Sequence, residues 1–460
     1  MTGERLTARN PGPNALAPCR CARRGRGVGT VVASAWGVCL LLLHPLSANP
    51  PRWETQVPGV RATAGILVEV ETGTVLWERQ ADKRMYPASL TKVMTALLTL
   101  EHGDIDRAVT ISERTANTGE TGILVEAGNR FSVRSLLYAC LVYSANDASV
   151  ALAEATAGSV PRFVELMNKR AETLGATHTH FANPHGLHND RHYATAADLS
   201  LIARQALAEP AFAQIVRTKR VVIPWPGKKW NHVLYNKNRL LSRWDQCDGV
   251  KTGYTKQAGN CLLASATCKG WQLLAVVLQS KDTWTDARTL LEAGFAKYER
   301  LVPVERGQRP GTEAAVRHGR APCPLKIGRA VTCIVPKGRQ LRSSSTVGEL
   351  NAPVRSEQAA GTLTFRCGRQ VVGQAPLVAG ADVPLAFWWR VRPYLLRLLI
   401  LTVVLAGVRL LYGTFAETDR FRWSRKPPWS GRTRRRRPGY GQRGSGDEAR
   451  DAGGPRHRLD

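Results

Sequence analysis

Ser89-Leu90-Thr91-Lys92 places a hydroxyl and an amine three residues apart at the start of a predicted helix. At that spacing both side chains leave the helix on one side, so the amine can reach the hydroxyl. A serine is a poor nucleophile until a neighbouring base takes its proton, and a desolvated lysine serves as that base once its pKa falls. Alone the pair is weak, since ordinary serine and lysine frequencies give roughly one or two such pairs by chance in a chain of this length. Two further elements lie downstream. Ser144-Ala145-Asn146 follows 55 residues after Ser89, and Lys251-Thr252-Gly253 follows another 107 residues on. The first offers a hydroxyl and an amide. The second offers a cation, a hydroxyl and a glycine, whose missing side chain lets a substrate backbone approach closely.

These residues need a scaffold, and the hydropathy pattern supplies one. Ala64 to Val70 and Val75 to Glu78, joined by the Glu71-Thr72-Gly73 turn, read as a hairpin of short strands. Leu90, Val93, Met94, Leu97 and Leu98 recur at helical spacing behind Pro87, so Ser89 to Leu100 is predicted helical. Phe131 to Leu141 and Ser149 to Ala157 read as further helices, and Cys261 to Thr267 and Gln272 to Gln279 as two apolar strands. Lys251-Thr252-Gly253-Tyr254 leads into the first of these strands, which puts that motif beside a sheet. Asp286 to Tyr298 makes a closing helix. Strands before and after a helical middle imply a mixed α/β (α+β) domain whose sheet is assembled from both ends. From about Leu301 to residue 386, many Pro and Gly residues among short Val/Leu/Ile runs predict a small all-β domain.

The chain has 460 residues and a formal net charge of +29, which invites a nucleic-acid reading. The charge is concentrated at the ends. Residues 1–27 carry six Arg and one Glu, and residues 416–460 carry 13 Lys/Arg against six acidic residues, so these two segments supply 12 of the 29 charges. Each abuts a hydrophobic stretch, the pattern of basic cytoplasmic flanks on a membrane protein. A nucleic-acid partner is therefore not expected. Residues 28–48 read as a signal peptide with small residues at Leu46-Ser47-Ala48-Asn49 for cleavage, or as an uncleaved anchor. Residues 394–415 read as a transmembrane helix, with an interfacial amphipathic helix as the alternative. Leu398 to Val408 is its charge-free centre, Arg397 and Arg409 can snorkel, and Phe387, Trp388, Trp389 and Tyr394 form an aromatic belt. The Arg434 to Arg437 run then lies in the cytoplasm, residues of about 50 to 386 lie outside, and the Gly/Arg-rich tail of 416–460 is predicted disordered.

Ten cysteines include three (Cys19, Cys21, Cys39) in the leader region, leaving an odd seven. No C-x-x-C zinc spacing occurs; Cys323 and Cys333 form a conceivable bridge, and the others behave as small hydrophobes. His178, His180, His185, His188 and His192 sit in a polar loop without an H-E-x-x-H frame, so no metal is expected. Gly-rich phosphate loops are absent, and no cofactor is called for.

The three motifs, in this order, are the Ser-x-x-Lys, Ser-x-Asn and Lys-Thr-Gly set of penicillin-recognising serine enzymes. Tyr86-Pro87-Ala88-Ser89-Leu90-Thr91-Lys92-Val93-Met94-Thr95, Tyr143-Ser144-Ala145-Asn146-Asp147-Ala148, Asn183-Pro184-His185-Gly186-Leu187 and Asp248-Gly249-Val250-Lys251-Thr252-Gly253-Tyr254-Thr255 resemble the serine-type D-alanyl-D-alanine carboxypeptidases, the low-molecular-mass penicillin-binding proteins. The resemblance covers about residues 60 to 300, within a catalytic domain of 55–300. It implies a penicillin-binding/β-lactamase-like fold, peptidoglycan stem peptides as substrate, β-lactams as inhibitors and an extracytoplasmic, membrane-attached enzyme. By motif position, Ser89 would be the acyl-ester nucleophile and Lys92 its proton acceptor. Ser144 and Lys251 would relay a proton to the leaving amine, and Asn146 would hold the substrate amide. Backbone N–H groups of Ser89 and Tyr254 would form the oxyanion hole. Lys251, Thr252 and Gly253 would line the substrate-carboxylate pocket, with Lys237 or Arg239 as a further cation. A longer hydrophobic span and a 45-residue basic tail depart from the family's usual amphipathic anchor. Rival readings are a β-lactamase or transpeptidase of the same fold and a wall-binding scaffold with a degenerate site. A β-lactamase needs a dedicated carboxylate that no motif here supplies, and the intact motifs argue against a scaffold.

Overall fold

The computed structural model describes residues 51–53 and 56–422. The basic segment 1–27, the signal or anchor segment 28–48 and the tail beyond 422 lie outside the described residues. The described chain divides into two compact units. One runs to Leu301 and takes in Thr332–Arg342 and Arg366–Gly373; the other holds Val302–Val331, Ser343–Phe365 and the chain from Gln374 onward.

The first unit is built on an antiparallel sheet. The N-terminal hairpin gives β1 (Ala64–Glu69) and β2 (Val75–Arg79). Two small hairpins follow, β3 (Ala108–Thr110) with β4 (Arg130–Ser132), and β5 (Arg220–Ile223) with β6 (His232–Tyr235). Three long strands then complete the sheet: β7 (Cys247–Thr255), β8 (Gly259–Cys268) and β9 (Trp271–Ser280). Its order is β2-β1-β9-β8-β7, so strands from both ends of the unit do meet, and β7 forms one edge.

Both faces of this sheet are covered, which is why β8 and β9 read as unbroken apolar runs. Along β9, Leu274, Val276 and Leu278 enter the core under the helical middle of the unit. Their neighbours Leu273, Ala275 and Val277 point the other way, against Ala287, Leu290 and Leu291 of the closing helix.

The helical middle begins with a 3-10 turn, Ala88–Thr91, continued by α1 (Lys92–His102). The predicted helix is thus present, but Ser89 sits in the tighter turn that precedes it. The short α2 (Glu113–Ala116) follows. The helix expected at Phe131 to Leu141 is broken into three: β4, then α3 (Val133–Tyr138) capped by the Ser132 hydroxyl, then a π-helical stretch Ala139–Tyr143. Apolar spacing alone cannot distinguish these, since each buries the same side chains. After it come α4 (Asn146–Ala157), α5 (Val160–Thr173), α6 (Ala196–Leu207), α7 (Pro210–Arg217) and α8 (Leu240–Arg243). The helix α4 begins three residues before the predicted Ser149, with Asn146 and Asp147 in its first turn. The closing helix, α9 (Thr283–Lys297), begins three residues early because the Asp282 carboxylate accepts from the Thr285 N–H.

The second unit is rich in short strands. A five-stranded sheet runs in the order Glu313–Ala314, Cys323–Ile327, Gln370–Ala379, Ala359–Cys367, Leu341–Val347. Cys323 and Cys333 are both buried free thiols, so the conceivable bridge is not formed; each is accommodated as a small apolar side chain. The unit ends in α10 (Phe387–Arg422), which contains Pro393. The 26-residue stretch Phe387–Tyr412 is long and apolar enough to cross a membrane, about 39 Å at the helical rise. The helix starts seven residues before the predicted span, so Phe387, Trp388 and Trp389 form its first turn instead of preceding it.

Candidate active site

Ser89 sits on a constrained turn. Ala88 has φ +47°, a left-handed conformation unusual for a residue with a side chain. Its carbonyl accepts from the Thr91 hydroxyl at 2.8 Å, and the Thr91 oxygen lies 2.8 Å from His192 Nε2. The Ala182 N–H donates to His192 Nδ1 at 3.1 Å. With Nδ1 accepting and the Thr91 proton committed to Ala88, His192 must be the neutral Nε2–H tautomer, donating to Thr91. Burial agrees, depressing the His192 pKa to about 4. Gly186 closes the other side, with φ +88°, and a Cβ there would fall 1.9 Å from the Ala88 carbonyl oxygen. Ser89 is left half-buried with its hydroxyl facing a cleft.

Lys92 is fully buried, and its amine has three partners. These are Ser89 Oγ at 3.0 Å, Asn146 Oδ1 at 2.8 Å and the His185 carbonyl at 2.7 Å. Burial dominates its electrostatics and lowers its pKa to about 8. A neutral amine has two N–H bonds and one lone pair. The two carbonyl oxygens can only accept, so they take the two N–H bonds, and the lone pair is left pointing at the serine hydroxyl.

The second motif lies where the π-helical stretch ends. Ser144 takes a left-handed conformation, φ +69°, and α4 starts two residues later at Asn146. The π-helical turn is the irregularity that swings the Ser144 side chain out of the helical stack. Asn146 is held from both sides: its backbone N–H donates to the Thr121 carbonyl at 2.7 Å and its Nδ2 to the Gly119 carbonyl at 3.2 Å. The next residue, Asp147, accepts from the Ile123 N–H at 2.8 Å and packs where a Cβ on Gly122 would lie 2.6 Å from its Oδ2. Burial raises the Asp147 pKa, with its backbone N–H donors opposing the rise.

The third motif is not beside the sheet but in it, on the edge strand β7. Lys251 is buried and its amine donates to the Thr252 carbonyl at 3.0 Å. Desolvation, then the neighbouring Lys92, holds its pKa well below the ordinary lysine range. A Cβ on Gly253 would lie 3.1 Å from the Pro87 carbonyl, so the glycine lets β7 approach the nucleophile turn. Tyr254 is 67% exposed.

Ser89, Ser144, Thr252, Gly253, Tyr254, Lys237 and Arg239 line one cleft of about 850 Å³. Lys92, Asn146 and Lys251 are buried in its walls. The two candidate cations differ. Lys237 is partly desolvated, which lowers its pKa; its ammonium stands 4.8 Å from the centre of the Tyr143 ring, and its charge is felt at both Lys92 and Lys251. Arg239 is exposed on the rim at the start of α8. Among the described residues no group of three or more His, Cys, Asp or Glu is placed to hold a metal ion.

Three contributors escaped the sequence. His192 and Thr91 set the tautomer and shape of the nucleophile turn, and Asp147 fixes the loop over Asn146. His192 lay in the histidine-rich stretch weighed for metal. The pairing of Met85 with Ala194 that brings it to Ser89 is a tertiary contact that no local pattern announces.

The matching family model, described as D-alanyl-D-alanine carboxypeptidase, covers residues 52–282, half of the chain. Over 363 residues the chain is 31% identical to the D-alanyl-D-alanine carboxypeptidase DacF of Bacillus subtilis, covering 75% of this chain and 92% of that protein. It is 31% identical over 377 residues to DacA of Escherichia coli, covering 77% of this chain and 92% of that protein. Among solved structures, penicillin-binding protein 5 of Haemophilus influenzae superimposes with a TM-score of 0.64 at 30% identity, covering 72% of this chain and all of that one. The chain belongs to the serine-type D-alanyl-D-alanine carboxypeptidases, penicillin-binding hydrolases of peptidoglycan metabolism.

Proposed function

We propose that Ser89 and Lys92 are the catalytic pair, and that the other motif residues hold the stem peptide and return the proton. The observation that carries this is the buried amine of Lys92, held by two carbonyl oxygens 3.0 Å from Ser89 Oγ, where its neutral form turns its lone pair to that hydroxyl. Lys92 takes the Ser89 proton as Oγ bonds to the carbonyl carbon between the two terminal D-alanines. The oxyanion is met by the backbone N–H groups of Ser89 and Tyr254. The C–N bond then breaks, and Ser144, with Lys251 behind it, relays the proton held by Lys92 to the departing D-alanine amine, which leaves Lys92 neutral again. Water hydrolyses the remaining ester, its proton going to Lys92 and then to Ser89 Oγ.

Substrate binding follows from the strand wall. β7 is an edge strand, so its unpaired backbone groups can add an extended peptide as a further strand. The terminal carboxylate meets Thr252, Lys251 and Lys237. Lys251 is easily deprotonated while the cleft is empty, and an arriving carboxylate would favour its charged form. Lys237 fits the task better than Arg239, because its charge already reaches the reaction centre.

We further infer that α10 spans the membrane and that residues of about 50 to 386 face the wall, with the Arg434 to Arg437 run in the cytoplasm. In whole cells, a thiol reagent that cannot cross the membrane should label a cysteine placed at exposed Leu124, and should miss one placed at Ser445 until the cells are opened; the reverse pattern would refute the orientation. The catalytic reading is tested by D-alanine release from diacetyl-L-lysyl-D-alanyl-D-alanine. The full chain should release it and Ser89→Ala should not; equal release by both would dismiss Ser89.

A further inference from the structure

We propose that the β5–β6 hairpin is a saccharide-docking surface, which holds the glycan strand from which the stem peptide hangs. The proposal rests on the carboxypeptidase reading, because it places the sugar end of that same substrate.

The hairpin begins in the catalytic cleft, where Tyr235 lines the wall and is 63% exposed. Strand alternation puts Val233 on the same face as Tyr235, and the register sets Val222 directly opposite Val233. Both valines are exposed, 43% and 45%. Beyond them, in the Pro224-Trp225-Pro226-Gly227-Lys228-Lys229-Trp230 connection, Trp230 is 60% exposed. An apolar strip of Tyr235, Val233 and Val222 therefore leaves the cleft along one face of the hairpin, uncovered by any described residue, and Trp230 is exposed at the far end.

The tip is braced. The Trp225 ring stacks on His232 at 3.7 Å between centroids, and Trp230 meets Trp225 edge-on at 6.4 Å. Lys228 is tied to Glu126 at 2.9 Å. Rigid, exposed tryptophan on a scaffold is an anchor for a partner with a flat apolar face. The C–H face of a pyranose ring is such a partner, and its hydroxyls suit the surrounding polar rim.

Lys and Trp together would also suit an anionic lipid surface. The continuity of the strip with the cleft, and the commitment of Lys228 to Glu126, favour the sugar.

The test uses the full chain in detergent micelles. Peptide-free glycan oligomers should bind the Ser89→Ala protein by calorimetry, and adding Trp230→Ala or Val222→Asp should weaken binding about tenfold or more. This arm needs no catalysis, so its failure is separate from failure of the carboxypeptidase reading. In the otherwise wild-type chain, Trp230→Ala should lower kcat/KM for a disaccharide-pentapeptide about tenfold and leave that for the acylated free peptide unchanged; Trp230→Phe should retain both. No glycan binding, or equal loss on both substrates, would overturn the proposal. So would tryptophan quenching by brominated phosphatidylglycerol in reconstituted vesicles that falls in Trp230→Phe, which would place the tip in lipid.

Discussion

The two walls of the cleft are built on opposite terms. On the helical wall, Lys92, Asn146 and Asp147 are buried, and each is held by backbone or side-chain partners. On the strand wall, Lys251 is buried, but the surface offered to the cleft is Tyr254, Tyr235, Lys237 and Arg239, all exposed. On the proposed mechanism the difference is one of task. Proton transfer needs a lysine whose charged form is disfavoured, and burial does this at Lys92. Recognition of a long polymer needs open surface, and an edge strand with a protruding hairpin offers it.

If the helical wall holds the base, its loss should outweigh any change on the strand wall. Lys92→Met should slow acylation about 10³-fold, the middle of the range for removing a general base. Stopped-flow acylation by a fluorescent penicillin measures this, and a loss below tenfold would place the base elsewhere. The shape of that wall is tested by Gly186→Ala. Its Cβ would meet the Ala88 carbonyl and its φ is left-handed, so the cost should be roughly 3 kcal/mol or more in chemical denaturation. A cost under 1 kcal/mol would mean that the nucleophile turn yields freely.

The walls should also part company in pH. Lys92 must be neutral to accept the proton, and burial has lowered its pKa to about 8. Below that value the fraction of competent base falls tenfold per unit, so acylation at pH 6 should be about 100-fold slower than on the plateau above pH 8. A profile flat from pH 6 to 9 would contradict the assignment. The smallest effects belong to the rim. Lys237→Ala should raise KM for the peptide about tenfold with kcat nearly kept, and Arg239→Ala should change neither more than about twofold. The reverse ranking would move the carboxylate to Arg239.

The same contrast explains what could be read from the sequence. The sheet was legible because β1, β8 and β9 carry uninterrupted apolar runs, and the chemistry was legible because its residue types are few and closely spaced. The 3-10 turn at Ser89 and the π-helical stretch before Ser144 were not. Both deform a regular apolar period without changing which residues it buries. The β5–β6 hairpin was hidden for another reason: Pro224, Pro226 and Gly227 break up strands only four residues long. The Cys323–Cys333 bridge failed because sequence separation says nothing of where two thiols point.

Mass spectrometry of the protein after brief exposure to benzylpenicillin, with Ser89→Ala alongside, tests the central claim most directly. The expected result is one covalent adduct per chain, mapped to the peptide containing Ser89 and absent from the variant. A folded wild-type chain with no adduct, or an adduct that survives in Ser89→Ala, would contradict it.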